Sequence, residues 1–170
     1  IQHQHDILPK TSWQHITFTM PSQLWDFFWL NRKLLKVIAK LAADCLKAIA
    51  RKKKVTPGIF IAIHTFGRSL SRNVHIHVST TAGGLSDDMT QWKNLFFKQD
   101  TVMKMWRYKI IDLFRKMHAK EPLKIPKAIQ QLLTPHFTFN HFLNNLYKKQ
   151  WIVNCGKPTN DHKINVGYLG

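Results

Sequence analysis

Two short segments constrain this chain more than any other feature. Residues 59–66 read Ile-Phe-Ile-Ala-Ile-His-Thr-Phe, residues 73–80 read Asn-Val-His-Ile-His-Val-Ser-Thr, and a polar link from Gly67 to Arg72 joins them. Alternation of this kind, rich in β-branched residues, predicts two strands folded into a β-hairpin. Successive side chains of a strand point to opposite faces, so the alternation also sorts them. Ile59, Ile61 and Ile63 take one face of the first strand, and Val74, Ile76 and Val78 complete the apolar face of the second. The other face then carries Phe60, Ala62 and His64 beside His75 and His77. Three neutral imidazoles on adjacent strands can hold a divalent cation and leave coordination positions open. A His-x-His pair also arises by chance in a chain with 10 histidines, but the apolar spacer and the third histidine favour a metal site. His15 has the same parity, with Ile16 and Phe18 opposite, and reads as a hydrogen-bonded polar residue on a strand. His3 and His5 lie in a polar lead-in.

The rest of the chain supplies partners for the hairpin. Residues 1–12, with Pro9 as a breaker, form the lead-in, and the alternating residues 13–20 predict a strand. Pro21-Ser22 opens a long helical stretch with Ser22 as N-cap, in which Leu24, Phe27, Phe28, Leu34, Leu35, Ile38, Leu41, Ala42, Cys45 and Ile49 recur at helical spacing. Arg51 to Lys54 and Pro57-Gly58 close it. Gly83-Gly84 and Asp87-Asp88 predict a loop. Residues 100–119 predict a basic amphipathic helix, residues 138–148 another, and residues 150–155 a last strand. The order β-α-β-β-α-α-β predicts an α+β sandwich: a central antiparallel sheet with helices packed mainly on one face.

Composition narrows the function. At 170 residues the chain fits one domain, and 44% hydrophobic content excludes a disordered tail. Its 26 Lys and Arg against 9 Asp and Glu give a net charge of +17, which points to a polyanionic partner, nucleic acid first. With Glu121 as the sole glutamate, a carboxylate metal cluster is hard to assemble. No apolar run reaches the 18 or so residues of a membrane span, and the reading excludes a membrane partner. Two cysteines, Cys45 and Cys155, read as core residues and fit the cytoplasm. Both ends look cut, so the chain reads as part of a longer protein.

His-hydrophobic-His on a central strand resembles the signature of the HUH endonucleases, which cut single-stranded DNA with a tyrosine. The spacing His64-(x10)-His75-x-His77 resembles the three-histidine site of conjugative relaxases within that superfamily. The surrounding words are similar to a narrower group, the two-tyrosine transposases of rolling-circle insertion sequences. They are His15-Ile-Thr-Phe-Thr-Met-Pro21, His64-Thr-Phe-Gly67, Asn73-Val-His-Ile-His-Val78, Gly83-Gly84-Leu85, Trp151-Ile-Val153 and Tyr168-Leu169-Gly170. The resemblance implies a ferredoxin-like HUH catalytic domain over residues 1–170 and a metal site of His64, His75 and His77 holding Mg²⁺ or Mn²⁺. It further implies Tyr168 as nucleophile, a 5′-phosphotyrosine intermediate, and transposon ends and target as single-stranded DNA partners. In that family a second tyrosine follows four residues after the first, which falls past Gly170, and a cysteine-rich zinc segment lies upstream; neither stands in this sequence.

A groove of cations with stacking aromatics suits single-stranded DNA. Arg68 and Arg72 sit in the hairpin link, and Lys104, Arg107, Lys109, Arg115 and Lys116 lie on the basic helix with Trp106 and Tyr108 among them. Trp25, Phe27, Phe28 and Trp29 read as core. Three other functions remain open: a replication initiator or relaxase, a non-catalytic single-stranded nucleic-acid-binding module, and a nuclease that activates water at the histidines.

Overall fold

The computed structural model describes residues 10–67, 69–120 and 123–160. Strand β1 (Trp13–Phe18) leads through a 3₁₀ turn into helices α1 (Trp25–Leu30) and α2 (Leu34–Lys52). Strands β2 (Val55–Thr56), β3 (Ile59–Phe66), β4 (Arg72–Thr81), β5 (Gly83–Ser86) and β6 (Trp92–Asn94) follow. Helices α3 (Gln99–Lys120), α4 (Lys127–Gln130) and α5 (Phe139–Lys148) precede the last strand, β7 (Val153–Cys155). The main sheet has the order β3-β4-β1-β7, all antiparallel, and β2-β5-β6 form a second, smaller antiparallel sheet. The fold is α+β, as the pattern predicts.

One face of the main sheet makes the core. Ile16 and Phe18 of β1 and Val74, Ile76 and Val78 of β4 are fully buried, in one apolar cluster with Leu34, Ile38 and Leu46 of α2 and with Trp106, Ile110 and Phe114 of α3. Trp106 meets Phe18 edge-on at 5.1 Å and donates its indole N–H to the Thr19 carbonyl at 2.7 Å. Ile59 and Ile61 pack against the cluster only in part, because β3 is an edge strand. On the opposite face the two ends differ. Trp13, Ser79 and Thr81 are buried, and Trp13 rests on Phe60 with ring centroids 5.5 Å apart. Toward the β3–β4 hairpin the face opens.

The long helical stretch expected from Ser22 to Lys54 is broken. Ser22–Leu24 is a 3₁₀ turn with no side-chain cap from Ser22, and α1 stops at Asn31, whose φ of −130° leaves the helical region. The cause is hydrogen bonding. Asn31 donates its side-chain amide to the Phe27 carbonyl at 2.9 Å and the Lys124 carbonyl at 2.8 Å, and its Oδ1 accepts the Lys124 N–H at 3.0 Å. Asparagine offers the backbone an alternative to helix, and a distant segment takes it. The loop expected at Gly83-Gly84 is instead strand β5. A Cβ on Gly84 would stand 2.2 Å from the Thr56 carbonyl oxygen and one on Gly83 2.7 Å from the Lys93 carbonyl, so these glycines let neighbouring strands close in. The first and last strands are shorter than expected, ending at Phe18 and starting at Val153.

Asn31 therefore ties two sequence-distant segments together. Asn31→Ala strands buried amide and carbonyl groups on both and is expected to cost about 2 kcal/mol of stability. Urea unfolding followed by tryptophan fluorescence measures it; an unchanged midpoint contradicts this account.

Candidate metal centre

In the β3–β4 register His64 stands directly opposite His75, and Ala62 opposite His77. The ladder slips between His64 and Phe66, so the histidines occupy the last regular rungs before the hairpin link. Ring centroids lie 5.2 Å (His64–His75), 4.4 Å (His64–His77) and 4.8 Å (His75–His77) apart. One nitrogen from each ring can be chosen so that all lie within 4.8 Å of one another, and all three side chains are half-buried. A metal about 2.1 Å from each nitrogen needs them roughly 3–3.5 Å apart, a contraction within the reach of side-chain rotation. The donor set is imidazole only among the described residues, and it lies on the open side of the sheet.

The surroundings set which nitrogens are available. The Asn73 carbonyl can only accept, so His75 donates Nδ1–H to it at 2.8 Å and keeps the Nε2 lone pair free. His77 Nδ1 meets His15 Nε2 at 3.0 Å, and the two rings stack with centroids 5.0 Å apart. His15 Nε2 also lies 3.1 Å from the Thr17 hydroxyl. With His77 Nδ1–H as donor to His15, His77 takes the tautomer whose lone pair lies on Nε2. Sequence parity puts His15 on this face, but only the pairing of β1 with β4 puts it beside His77. That pairing is non-local; His15 is the hydrogen-bonded strand residue expected, with His77 and Thr17 as its partners.

Burial and neighbouring imidazoles favour the neutral forms of His15, His64 and His77. Burial, then the nearby His64, His15 and His75, pull the His77 pKa down to about 4. Burial and His75 lower His64; burial and His64 lower His15. Neutral imidazole is the metal-binding form. Burial pushes the Cys45 thiol up to about 12 and the Cys155 thiol up to about 11, so neither is a thiolate at neutral pH, in keeping with core roles.

Tyr168 and Arg68 lie outside the described residues. Arg72 points to the helical side of the sheet, where it pairs with Asp26 at 2.7 Å. The basic helix α3 also lies on that side, across the sheet from the histidines, because its Trp106 packs on Phe18. Trp106 is fully buried and cannot stack on a base, which corrects the reading of it as a groove aromatic; Tyr108 is exposed. Lys104 pairs with Asp100 at 2.8 Å, and Arg107 lies over the Tyr147 ring at 4.3 Å. The structure thus brings His64, His75, His77 and His15 together and leaves Lys104, Arg107 and Lys109 on the opposite layer.

The lowered histidines make stability depend on pH with a fixed sign. Between the ordinary value of 6.5 and the His77 value of about 4, the unfolded chain binds more protons than the folded one. Stability is held above pH 6.5 and falls as pH drops toward 4. The thermal midpoint of the metal-free protein should decline across this window, and less steeply in His77→Gln. Equal slopes in the two proteins would contradict the assignment.

The profile of the Y2_Tnp family, described as "Putative transposase", matches residues 58–170. The chain is 34% identical over 167 residues to the "Transposase for insertion sequence element IS801" of Pseudomonas savastanoi pv. phaseolicola, covering 98% of this chain and 40% of that protein. It is 25% identical over 171 residues to the "Putative transposase y4qJ" of Sinorhizobium fredii, covering 96% of this chain and 43% of that protein. The chain therefore spans about two fifths of the length of these curated relatives. No solved structure matches it. With the family match running through the whole histidine hairpin, the chain belongs to the Y2_Tnp transposase family.

Proposed function

We propose that this chain is the catalytic core of a rolling-circle DNA transposase that cleaves and rejoins single-stranded DNA through a tyrosine. The observation that carries the reading is the trio of co-facing imidazoles on the open side of the sheet, inside the segment that matches the family. His64, His75 and His77 hold a divalent ion, Mg²⁺ or Mn²⁺, in the cytoplasm of a bacterial cell. When bound, that ion polarises the non-bridging oxygens of the scissile phosphate.

The chain's own groups do the rest. The Asn73 carbonyl orients His75 and His15 orients His77, each through Nδ1, which leaves Nε2 as the ligating nitrogen of these two rings in this reading. The Tyr168 hydroxyl loses its proton as its oxygen attacks phosphorus. A bond forms between the tyrosine oxygen and phosphorus, the bond to the 3′ oxygen breaks, and that oxygen takes up a proton. The products are a 5′-phosphotyrosine and a free 3′-OH. Reversal by a new 3′-OH joins strands without an external energy source. Arg68, Arg72, Lys104, Arg107 and Lys109 serve as phosphate contacts from the strand as it passes around the domain.

Full-length protein incubated with Mn²⁺ and single-stranded DNA bearing its element's end should yield a covalent adduct on a denaturing gel. Adduct and cleavage should both vanish in Tyr168→Phe and in the His75→Ala/His77→Ala double variant. Cleavage that survives Tyr168→Phe would replace the tyrosine with metal-activated water, and DNA binding without any cleavage would indicate a binding module. A second expectation concerns His15. His15→Ala should weaken Mn²⁺ or Co²⁺ binding by about 10- to 100-fold in calorimetric titration. Unaltered affinity would reduce His15 to a packing role.

A further inference from the structure

A cleft of about 690 Å³ opens beside the hairpin link on the helical side of the sheet. Trp29, Leu30, Leu123 and Ile125 give it apolar walls, and Arg72 and Lys127 stand among them. The half-buried Trp29 indole has the Arg32 guanidinium 4.9 Å and the Arg72 guanidinium 5.1 Å from its centroid, and the Phe66 ring meets it edge-on at 5.3 Å. The walls are tied together in advance. Asn31, one turn-end beyond Trp29, exchanges hydrogen bonds with the backbone of Lys124 on the opposite wall, and Arg72 is pinned to Asp26. Lys124 and Lys127 are exposed at the rim.

An apolar slot floored by an indole and guanidiniums, with cations at its rim, suits one class of ligand. Unpaired bases stack on aromatic rings and on guanidinium planes, and the cations take the flanking phosphates. Among the described lining residues only Asp26 is acidic, and Arg72 already neutralises it. The place is also right. Arg72 pairs with Phe66 at the end of the hairpin, and His75 follows on the same strand about 10 Å further along, facing the other side. A single strand held at the histidines reaches the cleft by turning around the end of the hairpin.

We propose that this cleft is a nucleotide subsite that receives one unpaired base flanking the cleavage position. Trp29 and Arg72 form the stacking platform, and Arg32, Lys124 and Lys127 bind the adjoining phosphates. The inference rests on reading the histidines as a single-strand cleavage site, but base capture itself needs no metal. The subsite is a point at which the sequence beside the cut is read by shape and stacking, apart from the chemistry.

The test is photocrosslinking in EDTA with full-length protein. Single-stranded oligonucleotides carrying the element's end are made with 5-iododeoxyuridine at one position at a time, irradiated, and the attached peptides mapped by mass spectrometry. One position should attach to the peptide containing Trp29. Trp29→Ala should abolish that crosslink and weaken oligonucleotide binding about 10-fold, while Trp29→Phe retains most of it. The exposed pair Lys124→Ala/Lys127→Ala, which leaves the fold intact, should lower the salt dependence of binding by roughly one counterion per lysine. No crosslink to this peptide from any position, or a folded Trp29→Ala that binds within twofold of the parent, overturns the subsite. Adduct formation in Mn²⁺ is scored in parallel. Adduct without the crosslink removes the subsite and spares the cleavage reading; the crosslink without adduct sustains base capture and removes that reading.

Discussion

Burial of one face of β4 decides where every histidine of the site points. Val74, Ile76 and Val78 are fully buried beneath the helices, and the strand's period of two then sends His75 and His77 the other way. A one-residue slip in register would exchange the two sets and drive imidazoles into the apolar core. The same rule acts on the strands alongside. Ile16 and Phe18 send His15 to the open face, and the packing of Ile59 and Ile61 sends His64 there. Four imidazoles gather through apolar packing on the far side of the sheet, and a hydrogen bond joins two of them, His77 and His15.

Crowding those rings has an electrostatic consequence that suits the chemistry. Each imidazole raises the cost of charging its neighbours, and partial burial adds to it, so the ring in the middle, His77, is held neutral furthest into the acid range. Asn73 and His15 engage the Nδ1 atoms of His75 and His77 and so fix the orientation of both rings. At the other end of the face, Trp13 resting on Phe60 closes the surface, so access comes from the hairpin end. There the ladder slips after His64 and the link carries its cations. The open end of the face and the Trp29 cleft are therefore two sides of one hairpin tip.

What the sequence makes legible is what depends on local periodicity. The hairpin, its register parity and the three-histidine face follow from alternation over residues 59–80. The helix near residues 100–119 follows from its basic amphipathic pattern, and the one expected over 138–148 starts in the structure at a Thr138 cap that pairs with His141. Features that depend on distant partners are not legible. Asn31 looks like an ordinary polar residue within a helical pattern until Lys124 appears beside it. Gly83 and Gly84 carry turn chemistry, but the close approach of Thr56 and Lys93 makes them strand. Trp106 alternates with cations as a stacking residue would, yet helical geometry turns it inward onto Phe18 while Tyr108 stays outside. His15 has the correct parity, and only the sheet order reveals its neighbour.

The distribution of charge separates stability from function. Ion pairs link Lys40 to Asp44, Arg72 to Asp26, Lys104 to Asp100 and Lys116 to Asp112, all on or against helices α1 to α3. Exposed pairs of this kind contribute little to folding. They do consume acids: of the 9 in the chain, these four are already matched, and no described carboxylate joins the group of His64, His75 and His77. Cations still outnumber acids 26 to 9 in the chain, and their mutual repulsion works against the compact state. A chain that keeps +17 under that burden holds it for a ligand that relieves it. Under the proposed function, single-stranded DNA would offer phosphates to the cations on both layers, and its bases would meet the indole and guanidiniums at the hairpin tip. On that reading the strand would pass the imidazoles of His64, His75 and His77 as it turns around the hairpin.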